Sequence, residues 1–286
     1  MGECYQDSLL THCQEGARMT SFILDKNKSA QKLKGLPHIY WINLDDKEDR
    51  AKYMEEQFAY WEVENHTRIS AYDGREDDLS DILTGRYPDN MTSGEIGCTT
   101  SHLKAMKHWL ETSDDDIAIM MEDDCDISVV KHWPFSWKDV IANAPHGWDC
   151  IQLAVINPAG GHAQIHRRYV NDFSTACYVI NRRYAQKLLD LHVKGEKYKL
   201  NQKVLPRAVA DDLIYNTGLT FAFPIFLYKI DLGSDIHDLH VDVYHKNCHD
   251  ALWQFWRNEV NGVENPEQLY QLNPYLGTLP PGFEGK

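Results

Sequence analysis

The chain has 286 residues, of which 43% are hydrophobic and 25% are charged, the composition of an ordinary globular protein with enough length for a sizeable core. Its 43 acidic and 29 basic side chains give a formal net charge of −14 at pH 7. Because nucleic acids and anionic membranes attract basic proteins, this charge argues against both as partners. An acidic protein of this kind can reach phosphates through a bound cation.

The seven cysteines are odd in number and form no Cys-x-x-Cys pair, so we expect neither a disulfide framework nor a structural zinc site. The first 36 residues contain no apolar core of signal-peptide length, and no later apolar run approaches the roughly 20 residues of a membrane span. We therefore expect reduced cysteines and a cytoplasmic location, with the lumen of the secretory pathway as the alternative.

The pattern of the chain predicts three regions. Residues 1–36 lack periodicity and are interpreted as a tail or a loosely docked extension, and the Pro-containing residues 251–286 as a C-terminal extension. Between them, strand-like and helix-like segments alternate through residues 37–250. This alternation predicts one α/β domain with a mostly parallel sheet.

The first half of that domain has clear local signals. Residues 38–44 are rich in aromatic and β-branched side chains and predict a strand, and residues 67–72 predict a second. Between the two strands, Asp45 or Asp46 is predicted to cap a helix with Met54, Phe58 and Trp61 on one face.

A second helix is predicted to begin at Thr92-Ser93-Gly94-Glu95, which has the spacing of a capping box. It is expected to bury Ile96, Leu103, Met106 and Leu110. The remaining predictions are strands at 117–121, 148–155 and 176–180, a helix through Ala185, Leu188 and Leu189, a basic loop at 194–205, a short helix after Asp211-Asp212, an apolar run at 221–227 and a His-rich segment at 237–249.

An acidic block, Glu122-Asp123-Asp124-Cys125-Asp126, follows the apolar strand at 117–121. Open α/β sheets bind ligands where parallel strands end, and crowded carboxylates repel one another unless a cation lies between them. We interpret Asp124 and Glu122 as ligands of Mn²⁺ or Mg²⁺ that bridges two phosphates. A solvated acidic turn is the alternative.

Asp211-Asp212 is the second candidate site, either as a general base that deprotonates an acceptor hydroxyl or as simple helix caps. His102 follows Cys98 by four positions and shares its helix face, and it is either catalytic or a packed polar residue. His245 and His249 have helical ligand spacing, a weak signal beside the interpretation as surface histidines. Dinucleotide, P-loop and serine-hydrolase motifs are absent.

Several of these stretches, in this order, resemble glycosyltransferase family 25, which contains lipopolysaccharide-type galactosyltransferases and procollagen galactosyltransferases. The matching stretches span about residues 38–236 and are Ile42-Asn43-Leu44-Asp45 with Arg50, Ala71-Tyr72-Asp73-Gly74, Gly94-Glu95-Ile96-Gly97-Cys98 with Ser101-His102-Leu103, Glu122-Asp123-Asp124, Trp148-Asp149, Tyr178-Val179-Ile180, Asp211-Asp212 and Ser234-Asp235.

The resemblance implies a GT-A fold, a UDP-sugar donor with galactose as the first choice, a Mn²⁺ or Mg²⁺ cofactor and inversion at the anomeric carbon. It also implies an acceptor hydroxyl on a glycan or on peptidyl hydroxylysine. By position, it assigns donor or pocket contacts to Asn43, Leu44, Arg50, Asp73, Gly74, Glu95, His102, Glu122 and Asp123, metal binding to Asp124 and Glu122, and the base to Asp211 or Asp212.

The sequence departs from the family at Asp45-Asp46, where many members are basic, and at 194–205, where a basic loop replaces a short connection. Two other functions stay open: a metal-dependent hydrolase of nucleotide sugars or phosphate esters, and an inactive sugar-nucleotide-binding module. Homo-oligomerisation is also left open.

Overall fold

The computed structural model describes residues 26–75, 78–85, 91–158, 163–200, 209–230 and 245–272. The acidic pair Glu76-Asp77, the Ser234-Asp235 motif, and His237 and His240 of the His-rich segment lie outside these residues. Within the described ranges, no helix combines the length and the apolar composition that a membrane span requires.

A mixed seven-stranded sheet forms the centre of the described structure. Its strands are β1 (Ile39–Asn43), β2 (His66–Ser70), β3 (Ile117–Glu122), β5 (Cys150–Gln152), β6 (His166–Arg167), β7 (Cys177–Asn181) and β10 (Thr220–Ala222). They lie side by side in the order β2-β1-β3-β7-β5-β10-β6. The β1–β2, β1–β3 and β5–β10 pairs are parallel, whereas β7 and β6 run antiparallel to their neighbours. Five of these strands therefore point the same way, and the predicted α/β class is confirmed.

Helices cover the sheet, and two short strand pairs lie outside it. The helices are α1 (Glu48–Trp61), α2 (Ser93–Thr112), α3 (Trp137–Ala142), α4 (Arg182–His192), α5 (Ala210–Tyr215), α6 (Lys246–Gln254) and α7 (Glu267–Tyr270). The short pairs join β4 (Cys125–Asp126) to β11 (Leu227–Tyr228) and β8 (Val193–Lys194) to β9 (Lys197–Tyr198), the second of them inside the predicted basic loop.

Two hydrophobic clusters lie on opposite faces of the sheet. Alternate side chains of β1 divide between them, with Trp41 in one and Tyr40 in the other, since successive strand residues point to opposite faces. On the Trp41 face, α1 buries the predicted Met54, Phe58 and Trp61, and on the Tyr40 face α2 buries Leu103 and Met106. Helix α2 also has the predicted capping box: Thr92 N donates to Glu95 Oε2 at 2.7 Å, and Glu95 N donates to Thr92 Oγ1 at 3.2 Å.

The predicted cap of α1 is wrong. The N-cap residue is Lys47, without a side-chain hydrogen bond to the helix. Asp45 instead accepts hydrogen bonds from Arg68 Nη2 at 2.8 Å and from Ser70 Oγ at 2.8 Å. An acidic side chain beside a helix start is therefore held here by the neighbouring strand β2.

Residues near both ends of the described chain pack on the core. Residues 26–32 are helical, and Ala30 and Leu33 are buried. Helix α6 crosses the predicted boundary between residues 250 and 251, and Leu252 and Trp256 join the core on the Trp41 face. The predicted division of the chain into three regions stays a prediction. The described residues just before 37 and just after 250 are nevertheless packed against the rest of the structure.

Candidate functional site

A cleft opens at the carboxyl ends of β1, β2 and β3, beside the first turns of α2. Its lining includes nine of the predicted site residues: Asn43, Leu44, Arg50, Asp73, Gly74, His102, Glu122, Asp123 and Asp124. Glu95, which the resemblance also assigns to the pocket, is buried in the capping box and does not line the cleft. The same sheet edge therefore brings together residues as far apart in sequence as Asn43 and Asp124, as expected where parallel strands end.

One wall of the cleft depends on close backbone packing between the loop after β2 and helix α2. A Cβ atom on Gly97 would lie 2.6 Å from Tyr72 O and 2.7 Å from Gly74 N. Such distances are shorter than real Cβ contacts, so any side chain at position 97 would push the loop away. Ser101 Oγ adds to this packing by accepting a hydrogen bond from Tyr72 N at 2.8 Å.

Asp123 is fixed by residues of β1 and α1. Its carboxylate accepts from Asn43 Nδ2 at 2.7 Å and from Arg50 Nη1 at 2.9 Å. Burial raises the pKa of the Asp123 carboxyl, while Asn43 and Arg50 act against that rise. Arg68 Nε in turn donates to Asn43 Oδ1 at 2.7 Å. Asp123 thus orients the acidic turn, and its two neighbours remain directed to the cleft.

Glu122 is held as a carboxylate by two donors. Burial opposes ionisation, but hydrogen bonds from His102 and Thr175 outweigh it, so the pKa of Glu122 lies below its ordinary value. The distances are 3.1 Å to His102 Nε2 and 2.5 Å to Thr175 Oγ1. Since a carboxylate only accepts, His102 Nε2 donates to Glu122, and the other ring nitrogen, Nδ1, is hydrogen-bonded to Tyr178 Oη at 3.0 Å.

Asp124 has the opposite environment. Its Oδ1 atom is buried and has no hydrogen-bond partner, and its backbone carbonyl accepts from Lys229 N at 2.8 Å. Burial, followed by the charges of Glu122 and Asp123, raises the pKa of the Asp124 carboxyl well above its usual range. A hard divalent cation would satisfy this oxygen and offset the repulsion, so the residues fit the predicted metal.

A second group of metal-ligating atoms lies in the same cleft. Within the described residues, one atom each from Cys98, His102 and Glu122 lie within 4.8 Å of one another, and Asp124 is not part of this group. The cleft therefore brings together one set of hard oxygen ligands and one set that contains sulfur and nitrogen.

The structure distinguishes the two adjacent acids at the start of α5. Asp211 has a buried Oδ1 atom without a hydrogen-bond partner. Burial, with a contribution from the Glu122 charge, raises the pKa of Asp211 to about 6. Asp212 Oδ1 instead accepts from Asn216 Nδ2 at 3.0 Å within the same helix. Asp211 has the environment of a base, and Asp212 that of a helix-stabilising side chain.

Ser174 and Thr175 connect Asp211 and Glu122, and neither was predicted from the sequence. Ser174 has φ of 94°, a left-handed conformation that a serine rarely adopts. Its backbone N–H hydrogen-bonds Asp211, and its carbonyl accepts from Tyr215 Oη at 3.0 Å, while Thr175 donates to Glu122. Strained residues concentrate at functional sites. No local sequence signal marks this segment, because its position depends on the antiparallel insertion of β7.

Comparison with protein families bears directly on this cleft. Residues 36–133 match the model of Glycosyltransferase family 25 (LPS biosynthesis protein). The predicted resemblance is confirmed over these residues, which are about a third of the chain and include every predicted residue of the cleft. Asp211 and Asp212 lie outside the match. The matched model is that of a glycosyltransferase family.

Comparison with individual proteins adds little. None of the curated proteins matches the chain. The crystal structure of A197 from STIV is similar at 11% sequence identity with a TM-score of 0.37, covering 67% of this chain and 83% of that chain. So distant a likeness says nothing about what this chain does.

Proposed function

We propose that this protein is a metal-dependent, inverting glycosyltransferase that transfers a sugar from a UDP-sugar to an acceptor hydroxyl. One observation carries the proposal: Asp124 and Asp211 each bury a carboxylate oxygen without a hydrogen-bond partner, and the charge of Glu122 acts on both. Two carboxylates with an unpaired oxygen, Asp124 and Asp211, and the ionised Glu122 suit a reaction that needs a cation to stabilise the leaving group and a base to deprotonate the acceptor.

The donor would bind along the cleft. Asn43 and Leu44, at the end of β1, and Asp73-Gly74, after β2, border the space into which Asp124 faces. Asp124 and Glu122 would hold Mn²⁺ or Mg²⁺, which when bound supplies positive charge against the negative charge that develops on the UDP leaving group. His102 and Thr175 keep Glu122 ionised for that purpose.

Asp211 would act as the base. Its pKa of about 6 leaves it mostly ionised near neutral pH yet able to accept a proton, which suits general base catalysis. It would take the proton from the acceptor hydroxyl as that oxygen attacks the anomeric carbon from the face opposite UDP. The hydrogen bond from the Ser174 backbone orients the carboxylate and leaves its other oxygen available.

We propose galactose as the sugar, because the family that the chain resembles includes galactosyltransferases. The proposed acceptor is a hydroxyl of a glycan or of peptidyl hydroxylysine.

A UDP-release assay with Mn²⁺ and a panel of UDP-sugars tests the proposed transfer, using simple sugars, lipid-linked glycans and hydroxylysine peptides as acceptors. Release that requires both Mn²⁺ and an acceptor is expected. Release that no acceptor stimulates would instead indicate a nucleotide-sugar hydrolase.

A further inference from the structure

The group of Cys98, His102 and Glu122 contains a soft ligand that a hard-cation site does not need. We propose that these three side chains form a separate binding site for Zn²⁺ within the cleft. Their ligand atoms lie within 4.8 Å of one another, and the His102 Nε2 to Glu122 Oε1 distance is 3.1 Å. This site is distinct from the hard-oxygen site proposed at Asp124, although both use Glu122.

The geometry suits a tetrahedral ion. Zinc lies about 2.0–2.3 Å from nitrogen, oxygen and sulfur ligands, so two ligands of one ion are about 3.3–3.8 Å apart. The observed ligand atoms are no more than 4.8 Å apart, so they lie within about 1 Å of these separations. Thiolate, imidazole and carboxylate are all zinc ligands, and three protein ligands leave the fourth position open.

Local structure pre-arranges two of the three ligands. Cys98 and His102 are four residues apart on helix α2 and therefore lie on one face of it. Tyr178 is fully buried, and its hydroxyl is 3.0 Å from His102 Nδ1. A metal-bound histidine uses its other ring nitrogen to donate to such a partner. With zinc on Nε2, the proton moves to Nδ1 and is donated to Tyr178 Oη.

Charge also favours a cation at this position. The Glu122 carboxylate lies within 4.8 Å of the Cys98 sulfur, and a cation bound between them would offset its negative charge. Cysteine binds zinc as the thiolate, so binding would release the thiol proton. Because zinc would also occupy Glu122, it should inhibit Mn²⁺-dependent transfer, a consequence that rests on the proposed function.

Cobalt(II) substitution tests the site without any assay of transfer, because a thiolate bound to Co²⁺ gives a charge-transfer band in the near ultraviolet. The full chain, in a non-thiol reductant, would be titrated with Co²⁺ and then with Zn²⁺. We expect the band to saturate at one equivalent and to disappear as Zn²⁺ replaces Co²⁺. In Cys98→Ser the band should be lost, and Zn²⁺ affinity, measured by competition with a chromogenic chelator, should fall at least about tenfold.

Three further variants make the test decisive. His102→Gln should also weaken Zn²⁺ binding. It serves as the test variant if circular dichroism shows that Cys98→Ser does not fold. Cys248→Ser, in the core on the opposite face of the sheet, should keep the band. Asp124→Asn should keep it too, even if that variant shows that the proposed transferase metal is placed wrongly. No band in the wild type, a band retained in Cys98→Ser or lost in Asp124→Asn would each overturn the separate zinc site.

Discussion

Gly97 of helix α2 lies so close to Gly74 that a Cβ atom on Gly97 would be 2.7 Å from the Gly74 backbone nitrogen. We expect Gly97→Ala to destabilise the protein by about 1–3 kcal/mol, because backbone rather than a flexible side chain must move. The displaced loop carries Asp73, so donor affinity should fall as well. Urea unfolding and UDP binding by calorimetry measure the two effects.

Gly262 offers the matched control. A Cβ there meets no atom within 4 Å, and the residue lies outside the cleft. Gly262→Ala should leave both quantities unchanged within about 0.5 kcal/mol. Equal stability of the two variants would show that the loop after β2 can move away from α2 at little cost in free energy, contrary to the prediction.

Asp124→Asn should abolish Mn²⁺-dependent transfer while the fold stays intact. The amide removes the negative charge that a cation needs. It also relieves the burial of a charge and the repulsion by Glu122 and Asp123 that together raise the pKa of Asp124, so the thermal midpoint should be equal or higher. UDP release and calorimetry measure both. Asp126→Asn is the control, because its Oδ1 atom accepts from Ser128 N at 2.7 Å and an amide oxygen can do the same. Activity that survives in Asp124→Asn would refute this metal ligand.

Substitutions of the neighbouring acids Asp211 and Asp212 should differ sharply in their effect on turnover. Asp211→Asn should lower kcat by about 10²–10⁴-fold with little change in donor affinity, since a base acts on the reacting hydroxyl. Asp212→Asn should stay close to wild type, because its main contact is the hydrogen bond from Asn216 in the same helix. Steady-state kinetics of the two variants side by side decide between them, and the reverse order would assign the base to Asp212.

The raised pKa of Asp211 predicts two opposite pH dependences. Activity should rise as the base ionises, with the acidic limb of kcat/KM near pH 6. Stability should change the other way: the folded state binds more protons than the unfolded state between about pH 4 and 6, so the contribution of Asp211 is present below pH 4 and lost as the pH rises through 6. Asp211→Asn should remove that loss, as the difference between wild-type and variant urea midpoints across pH would measure. Identical pH profiles of the two proteins would contradict it.

Arg50→Met should destabilise the protein by about 3–5 kcal/mol, because it leaves the Asp123 carboxylate buried without its cation. The Arg50–Asp123 pair is 2.9 Å apart, with side chains only 10% and 9% exposed. Lys52→Met, on the same helix, removes an exposed partner of Glu56 and should cost no more than about 0.5 kcal/mol. Denaturant unfolding compares the two, and similar costs would mean that water reaches Asp123.

The sequence predicts the elements whose signals are local. The capping box of α2, the apolar face of α1 and the strand before Glu122 all depend on residues within a few positions of one another, and each is confirmed. Likewise, Asp123 and Asp124 enter the cleft because the end of a parallel strand fixes their position. Asp45 is the local exception: a capping signal near α1 competes with Arg68 and Ser70 on β2, and those partners are visible only after the strands pair.

What the sequence could not predict is non-local. Thr175 contacts Glu122, Tyr178 contacts His102, and Ser174 contacts Asp211. These contacts form because β7 inserts antiparallel between β3 and β5, a topology that no motif encodes. The sequence could not decide between Asp211 and Asp212 either, because both are aspartates and only their burial and hydrogen bonding in the fold distinguish them.

The position of β3 has a consequence for the segment that the family model matches. That segment, residues 36–133, contains β1, β2 and β3 but not β7, the antiparallel neighbour that covers the other edge of β3. Isolated, it would expose a row of unpaired backbone groups along a strand whose Ala118, Ile119, Met120 and Met121 are fully buried in the whole protein. We therefore expect the matched segment not to fold on its own, so that the family signature and the folding unit have different boundaries in this chain.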